Sequence, residues 1–292
     1  MPPQNTPKEL RAKEESIISG LLPTVSGGDI VLNDEGWDNR AYIVNNGEYV
    51  FKFPRSDEIR GRQSKEIAAI RTLENIKSDL AFPKITWEGK DHSYFAYTGV
   101  KGRNLGVAIE SLDPQTLGRL GTQIGTFLKQ LHAKKLDEAV SVSVDDEIKF
   151  YQKKYRFSLE IIVRRFSVSE QEKIKHFAMV ELPNTMKKLG SESRLCHGDL
   201  GTYNMIIDAD SNLGVIDFGD TNYYDQSKDF IGLDNPMLMD AALSAYGDTT
   251  LLRDKIAIRR KANRAFDLPY YISKNDPVGL EQGLKIVRQE LL

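Results

Sequence analysis

The segment that most constrains the fold is LCHGDLGTYNMIIDADSNLGVIDFGD, running from Leu195 to Asp220. It sets five aspartates and a histidine beside runs apolar enough to be buried. Strands normally avoid aspartate, and a buried carboxylate needs a cation or hydrogen-bond donors. Two short apolar runs, NMIID and LGVID, flank the turn ADSN. The pattern predicts a hairpin. Asp208 and Asp210 then lie in its turn, and Asn204 and Asp217 meet where its two ends come together.

The spacing adds chemistry. Asn204 follows Asp199 by five residues in HGDLGTYN, the Asp-to-Asn spacing of the kinase catalytic loop. The Asp must reach the hydroxyl being phosphorylated, and the Asn, at the end of the same loop, must reach a magnesium ion on the phosphates. Asp217, in IDFG, is a second hard oxygen donor of the kind Mg²⁺ takes. Asp199 is therefore the candidate catalytic residue, and Asn204 and Asp217 the candidate metal ligands. His197 is expected to brace the loop by hydrogen bonds.

The rest of the chain supplies a frame. At 292 residues it is long enough for two lobes. A helix is predicted over Thr6–Ser19, then three strands in DIVLNDEGWDNRAYIVNNGEYVFKFPR, with NNG as a hairpin turn. Asp57–Lys77 reads as a helix with Ile59, Ile67, Ile70 and Leu73 near one face. Two more strands follow, around Lys84–Glu88 and Ser93–Tyr97. TGVKGRNLG reads as a linker, and helices are predicted over Asp113–His132, Asp146–Arg165, Ser169–Leu189, Pro236–Ala245, Thr250–Ala265 and Pro277–Glu290. The predicted architecture is α+β and bilobal: residues 1–98 a nucleotide-binding lobe of antiparallel sheet plus helix, 99–104 a hinge, and 105–292 a larger, mainly helical lobe. A ligand is expected in the cleft between them. One cysteine, Cys196, excludes an internal disulfide. The polar start lacks a signal-peptide core, and no run approaches a membrane span. A net charge of -2 gives no push toward nucleic acid or membrane. A cytoplasmic monomer is expected.

On HGDLGTYN, VIDFGD, EGWDNRAYIV and YVFKFPR, the chain resembles the aminoglycoside phosphotransferase family, which has the protein-kinase-like fold. The resemblance covers nearly the whole chain, and the 2''-directed branch looks closest. It implies Mg²⁺ and ATP or GTP as phosphate donor. Lys52, on the third strand, would meet the non-transferred phosphates. Glu66 shares a helical face with Ile59, Ile70 and Leu73 and would be its partner, with Glu74 as the competing candidate. Tyr97 would stand at the mouth of the base pocket, where its bulk favours guanine over adenine. Thr98 to Val100 would offer backbone groups to the purine. The G-x-G-x-x-G loop of protein kinases is absent, which argues for a small-molecule kinase.

After the DFG the chain stays acidic, with Lys228 the only basic residue between Asp217 and Asp240. An acidic cleft concentrates polycations, so a small cationic acceptor such as an aminoglycoside is expected. Asp220 is the first substrate-binding candidate, then Asp234, Asp240 and Asp267. Asp229 reads as structural. The basic residues Lys153, Lys154 and Arg156 read as a solvated helix face. Where the 2'' branch usually carries a glutamate-rich run, NPMLMDAALSAYG has Leu238 and Met239. That leaves a macrolide, choline-like or homoserine-like acceptor open, and a nucleotide-binding pseudokinase as a further alternative.

Overall fold

The computed structural model describes residues 6–292. Helix α1 (Lys8–Leu21) precedes strands β1 (Ile30–Asn33), β2 (Asn39–Val44) and β3 (Tyr49–Pro54). Helix α2 (Asp57–Leu73), β4 (Ile85–Glu88) and β5 (Phe95–Thr98) complete an antiparallel sheet of order β1-β2-β3-β5-β4. The NNG turn joins β2 to β3 with Val44 opposite Tyr49, and Asn45, Asn46 and Gly47 all take positive φ, a conformation these residues tolerate.

Alternation along β3 decides what each face does. Phe51 and Phe53 pack with Tyr42, Val44 and Ile18 in a core on the α1 side of the sheet. There Glu14 of α1 is buried and receives hydrogen bonds from Arg40 (2.6 Å) and the Tyr42 hydroxyl (2.8 Å). Lys52, between the two phenylalanines, points to the opposite face, toward α2. Helix α2 starts at the cap Ser56, whose Oγ accepts from the Ile59 N–H, and buries Glu66, Ile67, Ile70 and Leu73. It stops at Leu73, with Glu74 as its cap, a turn earlier than the pattern predicts.

The last two residues of the expected hinge form β6 (Arg103–Asn104), which runs into the short α3 (Leu105–Ala108). Helices α4 (Pro114–Leu131), α5 (Val144–Arg165), α6 (Val168–His176) and α7 (Leu182–Leu189) follow. The predicted helix over Ser169–Leu189 is thus two helices joined by a π-helical turn at Phe177–Glu181. Pro183, in the first turn of α7, has no N–H to continue the ladder, and the turn widens where its bond would fall.

Strand β7 (Ser193–Cys196) leads into the catalytic-loop segment. Strands β8 (Met205–Ile207) and β9 (Leu213–Val215) form the expected hairpin, and β6 pairs with β8. Strand β10 (Asn222–Asp225) pairs with β7, Cys196 opposite Asn222. Helices α8 (Pro236–Tyr246), α9 (Thr250–Phe266), α10 (Leu268–Ser273) and α11 (Pro277–Leu291) close the chain. Helix α8 packs so closely on α4 that a Cβ at Gly125 would lie 2.0 Å from the Ala242 carbonyl oxygen. Beneath the cleft, fully buried Arg259 of α9 makes a paired hydrogen bond to Glu147 of α5 (2.8 and 2.7 Å). This bidentate geometry fixes the two helices that build one wall. Among the described residues no helix is long and apolar enough to cross a membrane.

Candidate active site

The β7–β10 ladder holds HGD and DFGD side by side. Between β7 and Asp199, Gly198 takes φ +88°, and a Cβ there would lie 2.3 Å from the Asp220 carbonyl oxygen. Both the conformation and the space require glycine. Fully buried Asp229 accepts from the backbone N–H of His197 (2.8 Å) and of Gly198 (2.9 Å). His132, the cap of α4, contacts the same carboxylate at 3.1 Å. Burial pushes Asp229 toward its neutral form, but these partners more than offset it and hold its pKa below the ordinary value.

His197 braces the loop. Its Nδ1 accepts from the Asp199 N–H (3.3 Å), so Nε2 carries the proton and donates to the Ile216 carbonyl (3.0 Å). Its ring lies 4.6 Å from that of Phe218. Both imidazole nitrogens are therefore occupied. The Asp199 carboxylate receives the Tyr203 hydroxyl at 2.6 Å and the Asn204 amide at 3.2 Å. Burial raises the Asp199 pKa, and the Tyr203 hydrogen bond opposes the rise.

The hairpin brings the second carboxylate to the same place. The Ile216 N–H donates to the Asn204 carbonyl (3.0 Å), so the residues flanking the hairpin are adjacent. Asp217 follows with φ +67°, an uncommon conformation for a non-glycine residue. Lys52 reaches across to it: Nζ is 2.9 Å from Asp217 Oδ1 and 2.5 Å from Glu66 Oε1. Lys52 and Glu66 are 8% and 5% exposed, so this is a buried ion pair and Glu66, not Glu74, is the partner. Burial pushes the Lys52 pKa down, but Asp217 and Glu66 together carry it well above its ordinary value. Lys52, in turn, is the main reason the Asp217 pKa is lowered. The Asn204 amide nitrogen is committed to Asp199, leaving Oδ1 for a cation, and Asp217 Oδ2 makes no bond to Lys52. Two hard oxygen donors on one hairpin suit Mg²⁺. Glu66→Gln is expected to raise the KM for the nucleotide about tenfold or more, because Lys52 loses its anchor; initial rates against nucleotide concentration measure it.

Around the expected hinge, Tyr97 is buried with Lys52 Nζ 6.0 Å from its ring centre. Of the backbone groups expected to face the purine, the Thr98 N–H is already bonded to the Lys84 carbonyl and the Gly99 N–H to the Glu48 carbonyl, so neither is open to a base. Val100 packs over Gly214 of β9.

Asp199, Asn204 and Asp217 open onto a cleft of about 1260 Å³, which Asp220, Asp234 and Asp267 also line. Asp240 is not there: on α8 it pairs with Arg253 at 2.9 Å, beside Asp248, away from the cleft. The expected acidity is also reduced. Asp234 pairs with Arg264 of α9 at 2.5 Å, and Asp267 pairs with Lys154 of α5. Lys154 was expected on a solvated face; its spacing with Tyr151, Ser158 and Ile161, all buried, carries the inward signal. Trp37, from EGWDN, and Tyr203 add aromatic faces to the cleft. A second group, His132, Cys196 and Asp229, is close enough to hold a metal, but its carboxylate is already taken by the catalytic-loop backbone.

Residues 29–255 match the model of the phosphotransferase enzyme family. The chain belongs to that family. Its fold is that of solved kinases of small molecules. An aminoglycoside 2''-phosphotransferase in complex with GDP and kanamycin superposes with a TM-score of 0.74 at 19% identity, over 95% of this enzyme and 98% of that chain. A macrolide 2'-phosphotransferase from Brachybacterium faecium gives 0.62 at 17% identity, over 92% and 98% of the two chains. The choline kinase LicA from Streptococcus pneumoniae gives 0.63 at 17%, over 97% and 100%. No curated protein sequence matches the enzyme. The fold is thus shared by aminoglycoside, macrolide and choline kinases, and the acceptor has to be argued from the cleft.

Proposed function

We propose that this enzyme transfers the γ-phosphoryl group of a purine nucleoside triphosphate to a hydroxyl of a small polyhydroxylated acceptor of the aminoglycoside kind. The supporting observation is that the loop after β7 turns Asp199 to the cleft while the hairpin that follows returns Asp217 against the Lys52–Glu66 pair.

In this reading Asp199 orients the acceptor hydroxyl and takes its proton. The hydroxyl oxygen forms the new bond to the γ-phosphorus as the bond to the β–γ bridging oxygen breaks. Tyr203 and Asn204 hold the Asp199 carboxylate in position. Lys52, fixed by Glu66, anchors the non-transferred phosphates. Asn204 and Asp217 would hold Mg²⁺, which, when bound, neutralises charge on the phosphates. Most of the rate enhancement in such transfers is positioning and charge stabilisation. Tyr97, Thr98 and Val100 border the purine, and the bulk of Tyr97 favours GTP over ATP. At matched concentrations, a higher kcat/KM with GTP is expected, and equal values would remove this donor assignment. The donor places the activity in the cytoplasm, and the enzyme is proposed to act as a monomer.

The own-cation partners of Asp234 and Asp267 favour a second reading within the same chemistry: a hydroxylated acceptor of lower positive charge, macrolide-like or choline-like. Nucleotide consumption against aminoglycosides, macrolides and choline separates the two. Turnover confined to aminoglycosides supports the first, and turnover of the others alone overturns it.

A further inference from the structure

Lys154 sits on the inward side of α5, at the wall of the cleft. Its ammonium donates to Asn263 Oδ1 at 2.9 Å and to Asp267 Oδ1, and stands 5.5 Å from the centre of the Phe150 ring. A carboxylate, an amide oxygen and an aromatic face converging on one point make a receptor for a primary ammonium. Here the chain's own side chain fills it. Burial works against the charge on Lys154, and Asp267 is the main influence that retains it. Lys154 and Asp199 line the same cleft, so the subsite and the candidate reacting group face one ligand space. Among the described residues Asp220, by contrast, has no ion pair, so of the four carboxylates expected to receive substrate it is the one left open to an acceptor cation.

We infer that Lys154 is a built-in occupant of an ammonium subsite formed by Asp267, Asn263 and Phe150, and that it sets specificity by denying that subsite to cationic acceptors. The inference rests on the reading of this cleft as the acceptor site. With the subsite filled, the cleft favours the second reading above, a hydroxylated acceptor of lower positive charge, over a polycationic aminoglycoside, and leaves Asp220 to meet its ammonium group. A polycation whose second amine needs Asp267 must first displace a covalently tethered competitor. The alternative role for the pair is purely structural, fastening α5 to the start of α10.

Calorimetric titration of the full-length enzyme with kanamycin, in the absence of nucleotide, separates these roles. Lys154→Met is expected to bind kanamycin about tenfold more tightly than the unchanged enzyme, the size of one charge-assisted hydrogen bond gained. The gain should vanish in Lys154→Met/Asp267→Asn and be absent in Lys154→Arg. Lys228→Met removes the same charge from the same cleft without opening the subsite, and its gain should stay under about threefold. If Lys154→Met does not fold, Lys154→Ala carries the same expectation, because it too vacates the contacts to Asp267 and Asn263. A folded Lys154→Met or Lys154→Ala that binds kanamycin no more tightly, or a gain that survives Asp267→Asn, overturns the inference. Because binding is read without turnover, tighter binding with no phosphorylated kanamycin from any variant would uphold the subsite and remove the aminoglycoside reading instead.

Discussion

Replacing Asp199 with asparagine is expected to lower kcat by roughly a thousandfold while nucleotide still binds. General-base and orientation roles together contribute about 10²–10⁴-fold, and nothing else in the cleft can substitute for this group. His197, the nearest imidazole, has both nitrogens committed, one to the Asp199 N–H and one to the Ile216 carbonyl. Asp220 also lines the cleft but lies beyond the β9-side turn, with its backbone rather than its carboxylate against the catalytic loop. Asparagine keeps the volume and can still receive the Tyr203 hydroxyl. A loss of rate in Asp199→Asn with unchanged melting and unchanged nucleotide affinity therefore reports chemistry and not folding. Turnover within a few-fold of the unchanged enzyme would mean that another group takes the proton.

Asp229→Ala is expected to give the largest loss of stability among single changes near the site. The carboxylate is fully buried and serves the His197 and Gly198 N–H groups together with His132. Its removal leaves two buried backbone donors without an acceptor, and each such group costs about 1–3 kcal/mol. Breaking its contact with His132 adds to that, for a total of about 3–5 kcal/mol. For a chain of this size the melting temperature should fall by about 10 °C. Activity should fall with it, because the same two N–H groups set the direction in which the chain enters Asp199. Asp229→Asn keeps one acceptor oxygen and should fall between the two. A melting curve for Asp229→Ala that overlays that of the unchanged enzyme would show that the loop is held by β7–β10 pairing alone.

Much of the candidate site was legible because it is local. Asp199, Asn204 and Asp217 follow from one loop and one hairpin, whereas Lys52, standing between Phe51 and Phe53, is ambiguous from the residues alone and is assigned only by the family resemblance. Glu66 was legible from helical periodicity, since Ile67, Ile70 and Leu73 mark the buried face around it. The ladder between β7 and β10 was not: SRLC and NYYD are four residues each, and neither shows clean alternation. The π-helical turn was hidden inside a continuous helical pattern, where only Pro183 hinted at a break. The charge of the cleft was the least legible feature. Counting along the chain after Asp217 shows acids, but the cations that answer them come from elsewhere. Lys154 and Asp267 are 113 positions apart. Arg264 reaches Asp234 across 30. Asp240 belongs to the same run yet meets Arg253 away from the cleft, because it lies on α8, whereas Asp234 comes just before that helix and lines the cleft.

The most direct test is to incubate the enzyme with Mg²⁺ and either GTP or ATP against a panel of aminoglycosides, macrolides and choline, and to weigh the acceptors by mass spectrometry. The expected result is one acceptor class that gains a single phosphoryl group on a hydroxyl, and loses that gain when Asp199→Asn replaces the unchanged enzyme. No phosphorylated acceptor from any class, with nucleotide consumption no higher than in Asp199→Asn, would contradict the assignment of this cleft as a phosphotransfer site.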